Sequence, residues 1–212
     1  MDSLTGHLAA GWSELRLDEV CQIQPGPSGA SAPSREFSTQ GTPLVRPGDI
    51  ADRRVSDTDL VRVTDTVAER LHRYRLREGD IVGTRTGTLG KFARIDREQH
   101  HWLYSTQLFR LRPSSRIDAE YLVHYLGLPV VGDWIDRHSS GSTVRSITVN
   151  TLRSLPTVVP PLEDQRAIGS SLRALDDKAG LHAEISRTAS ELHDALAPVL
   201  FSGRVSVSAE AP

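Results

Sequence analysis

The densest run of residues able to do chemistry is Glu78-Gly79-Asp80-Ile81-Val82-Gly83-Thr84-Arg85-Thr86-Gly87-Thr88-Leu89-Gly90-Lys91. A loop that cradles a nucleoside triphosphate needs Gly-x4-Gly-Lys-Ser/Thr. Counted back from Gly90-Lys91, the first glycine falls on Arg85 and the hydroxyl on Phe92, so this is not such a loop. Glycines at 83, 87 and 90 also miss the Gly-x-Gly-x-x-Gly spacing of a dinucleotide fold. What remains is a tight turn after a strand that presents Arg85, Thr86, Thr88 and Lys91, groups suited to phosphate oxygens or base edges. A purely structural hairpin turn would have the same composition. A second run, Ser139-Ser140-Gly141-Ser142-Thr143-Val144-Arg145-Ser146-Ile147, is a hydroxyl-rich loop with one arginine. It can hold phosphates through backbone amides and hydroxyls, or simply face solvent.

Catalytic arrangements fail one by one. Asp176-Asp177-Lys178 contains an Asp-x-Lys fragment of the nuclease type, but it lies mid-helix on the charged side of an apolar seam and reads as a solvated face. His100-His101 has no acid or cysteine at ligand spacing, and no Gly-x-Ser-x-Gly elbow is present. Pro160-Pro161-Leu162 lacks the polar and aromatic members needed to hold a flipped base for methylation. Cys21, a single cysteine, forms no internal disulfide and no zinc site. The chain reads as a non-enzyme with no cofactor and no metal.

These runs must be positioned by something. Short apolar stretches bounded by Gly and Pro favour strands: 43–45, 60–63, 79–82, 92–95, 102–104 and 107–111. The opening 11–20 mixes strand alternation with a short helical turn, and Gln24 to Ser34, rich in Pro, Gly and Ser, reads as a mobile loop. Asp118 caps a helix to Leu126, and Val130 to His138 is a second short helix. The texture changes after Pro160-Pro161. Apolar residues recur at Ile168, Leu172, Leu175 and Ala179, then at Ile185, Ala189, Leu192, Leu196 and Val199, an a/d seam with one slip near Gly180-Leu181. Thirty-nine helical residues reach about 58 Å, longer than a head of this size can cover, so the seam calls for a partner helix. The expected organisation is a mixed α/β (α+β) domain over 1–161, one long coiled-coil-forming helix over 162–203, and a flexible tail over 204–212.

The chain of 212 residues has a formal net charge of −2, unevenly spread. Residues 35–116 hold sixteen basic and eleven acidic side chains, net +5, between flanks of −3 and −4. That is a modest footprint for a polyanion. Only Lys91 and Lys178 of the 25 basic residues are lysines, a bias that decides nothing. No apolar run spans a membrane and no secretory signal is visible, so a cytoplasmic location is expected.

Several blocks, in order, resemble the specificity subunit of type I restriction-modification systems. Trp12 to Val20 is similar to the family's opening. Arg46-Pro47-Gly48-Asp49-Ile50 and Gly79-Asp80-Ile81-Val82 resemble its two Gly-Asp-Ile turns, the second followed by Arg85-x-Gly87-Thr88-x-Gly90. Gly141-Ser142-Thr143 to Ile147 looks like its Gly-Ser/Thr loop, and Pro160-Pro161-Leu162-Glu163-Asp164-Gln165-Arg166-Ala167-Ile168 is similar to its Pro-Pro-Leu-x-x-Gln-x-x-Ile string.

The resemblance implies a non-catalytic target-recognition domain that reads double-stranded DNA and docks a methyltransferase subunit, and in a full complex a translocating nuclease subunit. Arg85, Lys91 and Arg145 are the expected DNA contacts, with Ser142 and Thr143 beside them and Thr86, Thr88 and Gln107 as edge readers. Arg53, Arg54, Arg62, Arg73, Arg75 and Arg77 are further candidates between the two Gly-Asp turns. Members of the family usually carry two recognition domains and two long helices. One of each is seen here, so two copies are expected to pair through residues 162–200. The competing expectation is an interaction adaptor that uses the helix and binds no DNA.

Overall fold

The computed structural model describes residues 3–28 and 37–202. In chain order these form β1 (Ser13–Arg16), α1 (Leu17–Val20), β2 (Cys21–Pro25), β3 (Phe37–Ser38), β4 (Thr42–Val45), β5 (Ile50–Ala51), β6 (Arg54–Val55), β7 (Arg62–Val63), α2 (Asp65–Arg70), β8 (Ile81–Thr84), β9 (Phe92–Arg94), β10 (Leu103–Tyr104), β11 (Leu108–Pro113), α3 (Ala119–Leu126), α4 (Pro129–His138), α5 (Val149–Arg153), β12 (Pro156–Val159) and α6 (Leu162–Phe201). The tail expected over 204–212, and residues 29–34 of the expected mobile loop, lie outside the described residues.

A four-stranded antiparallel sheet, ordered β2-β11-β8-β9, is the spine of the head. Successive side chains of a strand face opposite sides, and here both sides carry apolar residues. Phe109 and Leu111 of β11 join Ile81, Ile23 and Phe92 in one core, while Leu108, Val82 and Ala93 enter another. The first core is closed by α1, α3, α4, α5 and β12, through residues such as Leu17, Leu122, Trp134, Leu152 and Val158. The second is closed by α2 and the sheet β10-β4-β7-β3, through Val67, Leu103, Leu44 and Val63.

The cap read from sequence at Asp118 forms as expected. The Asp118 carboxylate accepts the Tyr121 backbone N–H at 2.9 Å and starts α3. Pro129 takes the first turn of α4, where a missing N–H does no harm. Two helices were not foreseen, α2 and α5, each too short to show a 3.6-residue period. The stretch 60–63 contributes only the two-residue β7.

The 40-residue α6 runs unbroken past Gly180-Leu181, a length of about 60 Å. By compactness the chain divides into Met1–Ser170 and Ser171–Pro212, a boundary inside α6 rather than at its start. The reason is a buried amide. Gln165 is fully inaccessible; its Nε2 donates to the Pro160 and Arg116 carbonyls at 2.7 and 3.1 Å, and its Oε1 accepts the Asp118 N–H at 2.7 Å. Trp12 Nε1 donates to Asp164 at 3.3 Å. At Gly169 a Cβ would stand 2.7 Å from the Tyr121 backbone nitrogen, so only glycine permits this approach. Ile168, expected on the partner seam, instead packs against the first core.

The second unit, taken by itself, is helix from Ser171 to Phe201. Leu172, Leu175, Ala179, Ile185, Ala189, Leu192, Leu196 and Val199 are all exposed there. No described helix is long and apolar enough to cross a membrane.

Candidate nucleic-acid interface

The glycine-rich run is the hairpin turn between β8 and β9. Thr84 N donates to the Lys91 carbonyl at 3.0 Å, and Lys91 N donates to Thr84 Oγ1 at 3.2 Å. Gly87 and Gly90 stand at φ +83° and +80°, in the left-handed region that favours glycine. The run is thus a structural turn, with Thr86 and Thr88 in its loop and Lys91 at its base opposite Thr84.

Backbone hydrogen bonds tie two other segments to this turn. Arg85 N donates to the Gln107 carbonyl at 2.9 Å, Ile147 N donates to the Arg85 carbonyl at 3.0 Å, and Gly87 N donates to the Arg145 carbonyl at 2.9 Å. Thr86 bridges Ser146, which in turn bridges Ser140. Residues some 60 positions apart in sequence thus become one surface at the C-terminal end of β8.

Thr86, Thr88, Lys91 and Gln107 line one concavity of about 480 Å³, together with Gly87, Arg46, Pro47 and Gly48. The Lys91 ammonium is exposed and has no ion pair among the described residues. A neighbouring hollow of about 370 Å³ shares Lys91 and adds Arg53 and Asp52. Those two residues turn the β5–β6 hairpin with φ +61° and +48°, a conformation that costs roughly 1 kcal/mol per non-glycine residue.

The remaining expected contacts are placed differently. Arg85 does not line the concavity; its guanidinium lies 5.7 Å from the Phe109 ring centroid. Ser142 and Thr143 are exposed in the stitched loop. Arg145 is committed to the end of α4: Nη1 pairs with Asp136 Oδ1 at 2.8 Å, Nη2 donates to the Asp136 carbonyl, and Nε and Nη2 donate to Ser139 Oγ at 3.1 and 2.7 Å. It satisfies helix-terminal carbonyl oxygen and anchors the loop. Arg62 donates to the Gly41 carbonyl at 2.9 Å, Arg75 pairs with Glu69 at 3.1 Å, and Arg73 stacks on Tyr74. Arg77 precedes β8, at the opposite end of that strand from the turn. Arg54 is exposed on β6.

Arg46 is the site residue that the sequence reading passed over. Its signal was available, because Arg46-Pro47-Gly48-Asp49-Ile50 was read as a family-like turn without asking where the arginine would stand.

The family model described as the type I restriction modification DNA specificity domain matches residues 10–189. A Methanocaldococcus jannaschii chain ascribed to the MjaX type I restriction enzyme as its specificity subunit is 26% identical over 180 residues, 82% of this chain and 42% of that one. The HindI type I restriction enzyme specificity subunit of Haemophilus influenzae is 24% identical over 174 residues, 77% of this chain and 37% of that one. Among solved structures, a chain from work on complex assembly and conformational transition of the type I R-M system superposes with a TM-score of 0.65 at 25% identity, covering 90% of this chain and 45% of that one. The type I restriction-modification S subunit of M. genitalium shares the fold, with a TM-score of 0.65 at 15% identity over 95% of this chain and 49% of that one. The chain thus spans less than half the length of each of these relatives.

Proposed function

Because the chain belongs to the type I restriction modification DNA specificity family, we propose that its head reads one half of a two-part DNA sequence and contributes no catalytic group of its own. The observation that carries this reading is the convergence of Thr86, Thr88, Lys91 and Gln107 with Arg46 around one concavity, on loops stitched together by backbone hydrogen bonds. Such a surface offers a cation for phosphate and hydroxyl and amide groups for base edges, the two kinds of contact a DNA reader needs. Lys91 positions the phosphate backbone, Thr86, Thr88 and Gln107 face base edges, and Arg85 adds a cation steadied by Phe109. Arg145 acts from behind, holding the 139–147 loop that presents Ser142 and Thr143. Methylation, and cleavage where it occurs, belong to partner subunits: a DNA methyltransferase and a translocating nuclease. The exposed seam from Leu172 to Val199 takes a second copy of the helix, so that a two-fold protein meets a two-fold DNA site.

Lys91→Ala tests the electrostatic part. Binding to every duplex should weaken alike, and the slope of log affinity against log salt should become shallower by about one. Titrations of wild type and variant at several salt concentrations measure it. An unchanged slope would remove Lys91 from the interface, and salt-insensitive absence of binding by the wild type would favour the adaptor over the reader.

A further inference from the structure

Two turns of this chain share the sequence Arg-x-Gly-Asp-Ile, at 46–50 and 77–81. They fold alike. In each, the aspartate carboxylate accepts the backbone N–H of the arginine three residues earlier at 2.8 Å, and the aspartate is buried. They differ in what neutralises that carboxylate. Asp80 is held by Arg112 of β11, whose Nε and Nη2 donate to its two oxygens at 2.7 Å each. Among the described residues, Asp49 receives no arginine from another element. Its own Arg46 turns back instead, with Nε at 3.5 Å and Nη2 at 3.4 Å, the outer limit of a hydrogen bond.

Arg46 is therefore steadied without being saturated. Asp49 occupies the Nε–Nη2 side of the guanidinium, which leaves the Nη1–Nη2 end with N–H groups to donate. The side chain is 38% exposed and borders the concavity that holds Thr86, Thr88, Lys91 and Gln107. An oriented pair of parallel donors fits the O6 and N7 acceptors of guanine in the major groove. A phosphate is the weaker match, because the carboxylate behind Arg46 cancels much of its charge, whereas Lys91 beside it has no counter-ion among the described residues.

We propose that Arg46 is a specificity-determining residue that reads a guanine of the target. This rests on the DNA-reading proposal above and assigns one base within it.

The test is selection of bound sequences from a random duplex pool by the full-length protein, with wild type, Arg46→Ala and Arg46→Lys compared and thermal unfolding run on each. Wild type should enrich a sequence containing guanine. Both variants should lose discrimination at one such position by about 5- to 150-fold, with other positions and the salt slope unchanged, since lysine restores the charge but not the planar fork. Unchanged preference in the variants, a selected sequence without guanine, or a uniform loss that lysine rescues would overturn the assignment while leaving DNA reading intact. If wild type enriches nothing, the reading itself fails.

Discussion

Asp80→Ala should destabilise the head by about 3–5 kcal/mol, the usual consequence of removing one partner from a buried charge pair. Asp80 is only 1% exposed and accepts three close hydrogen bonds, two from Arg112 and one from the Arg77 backbone. These bonds hold the Arg112 guanidinium protonated above its ordinary range. Without the carboxylate, Arg112 and the Arg77 N–H lose their acceptors at the start of the central strand β8. The lower end of the range is expected because Arg112 is one-quarter exposed and water can reach it. Asp49→Ala, in the twin turn, removes the same backbone acceptor but only a long ion pair, and should cost about 1–2 kcal/mol. Denaturant midpoints at unchanged m-value measure both. Equal losses at the two positions would contradict the distinction drawn between the turns.

The second large effect concerns the open seam of α6. If two copies pair as proposed, Leu192→Lys combined with Leu196→Lys should leave the head folded and convert the pair to a monomer in solution. Burying a leucine is worth roughly 1.5–3 kcal/mol, and each copy of a symmetric pair would lose two. Because the two heads then bind independently, affinity for a duplex with both half-sites should fall by about 100- to 10,000-fold, while affinity for a single half-site stays put. Glu184→Gln, away from the seam, is the control. Sedimentation at micromolar concentration reads the mass, and titration of one-site and two-site duplexes reads the coupling. A wild type that sediments as a monomer, alone and with the methyltransferase subunit proposed as its partner, would reject pairing through this helix.

What the sequence made legible was local. Asp118 before a periodic stretch announced α3, the pattern of Val130 to His138 announced α4, and the change of texture after Pro160-Pro161 announced α6. The short strands were placed by their glycine and proline boundaries, although Leu60 and Val61 proved to lie outside β7. What stayed hidden depends on partners distant in the chain. That Gly87 would donate to the Arg145 carbonyl, and so join the two candidate loops, is a tertiary event without a local signature. The same holds for the Arg145 guanidinium, whose use at the end of α4 depends on where that helix stops. Ile168 fitted the heptad seam by spacing alone, yet the burial of Gln165 and the bare Gly169 turn that part of α6 toward the head. Arg46 stayed hidden for a related reason: its turn has a local signature, but the concavity that its side chain borders is made with Thr86, Thr88, Lys91 and Gln107, far along the chain.

The locked amide of Gln165 has a practical corollary for anyone exchanging recognition modules between such proteins. The obvious splice point, the diproline ahead of α6, would marry one parent's Trp12, Arg116 and Asp118 to the other parent's Asp164 and Gln165 and leave mismatched surfaces at the junction. A crossover placed after Ser170 carries the helix's opening turns along with the head they grew up against, and exchanges only the solvent-facing remainder.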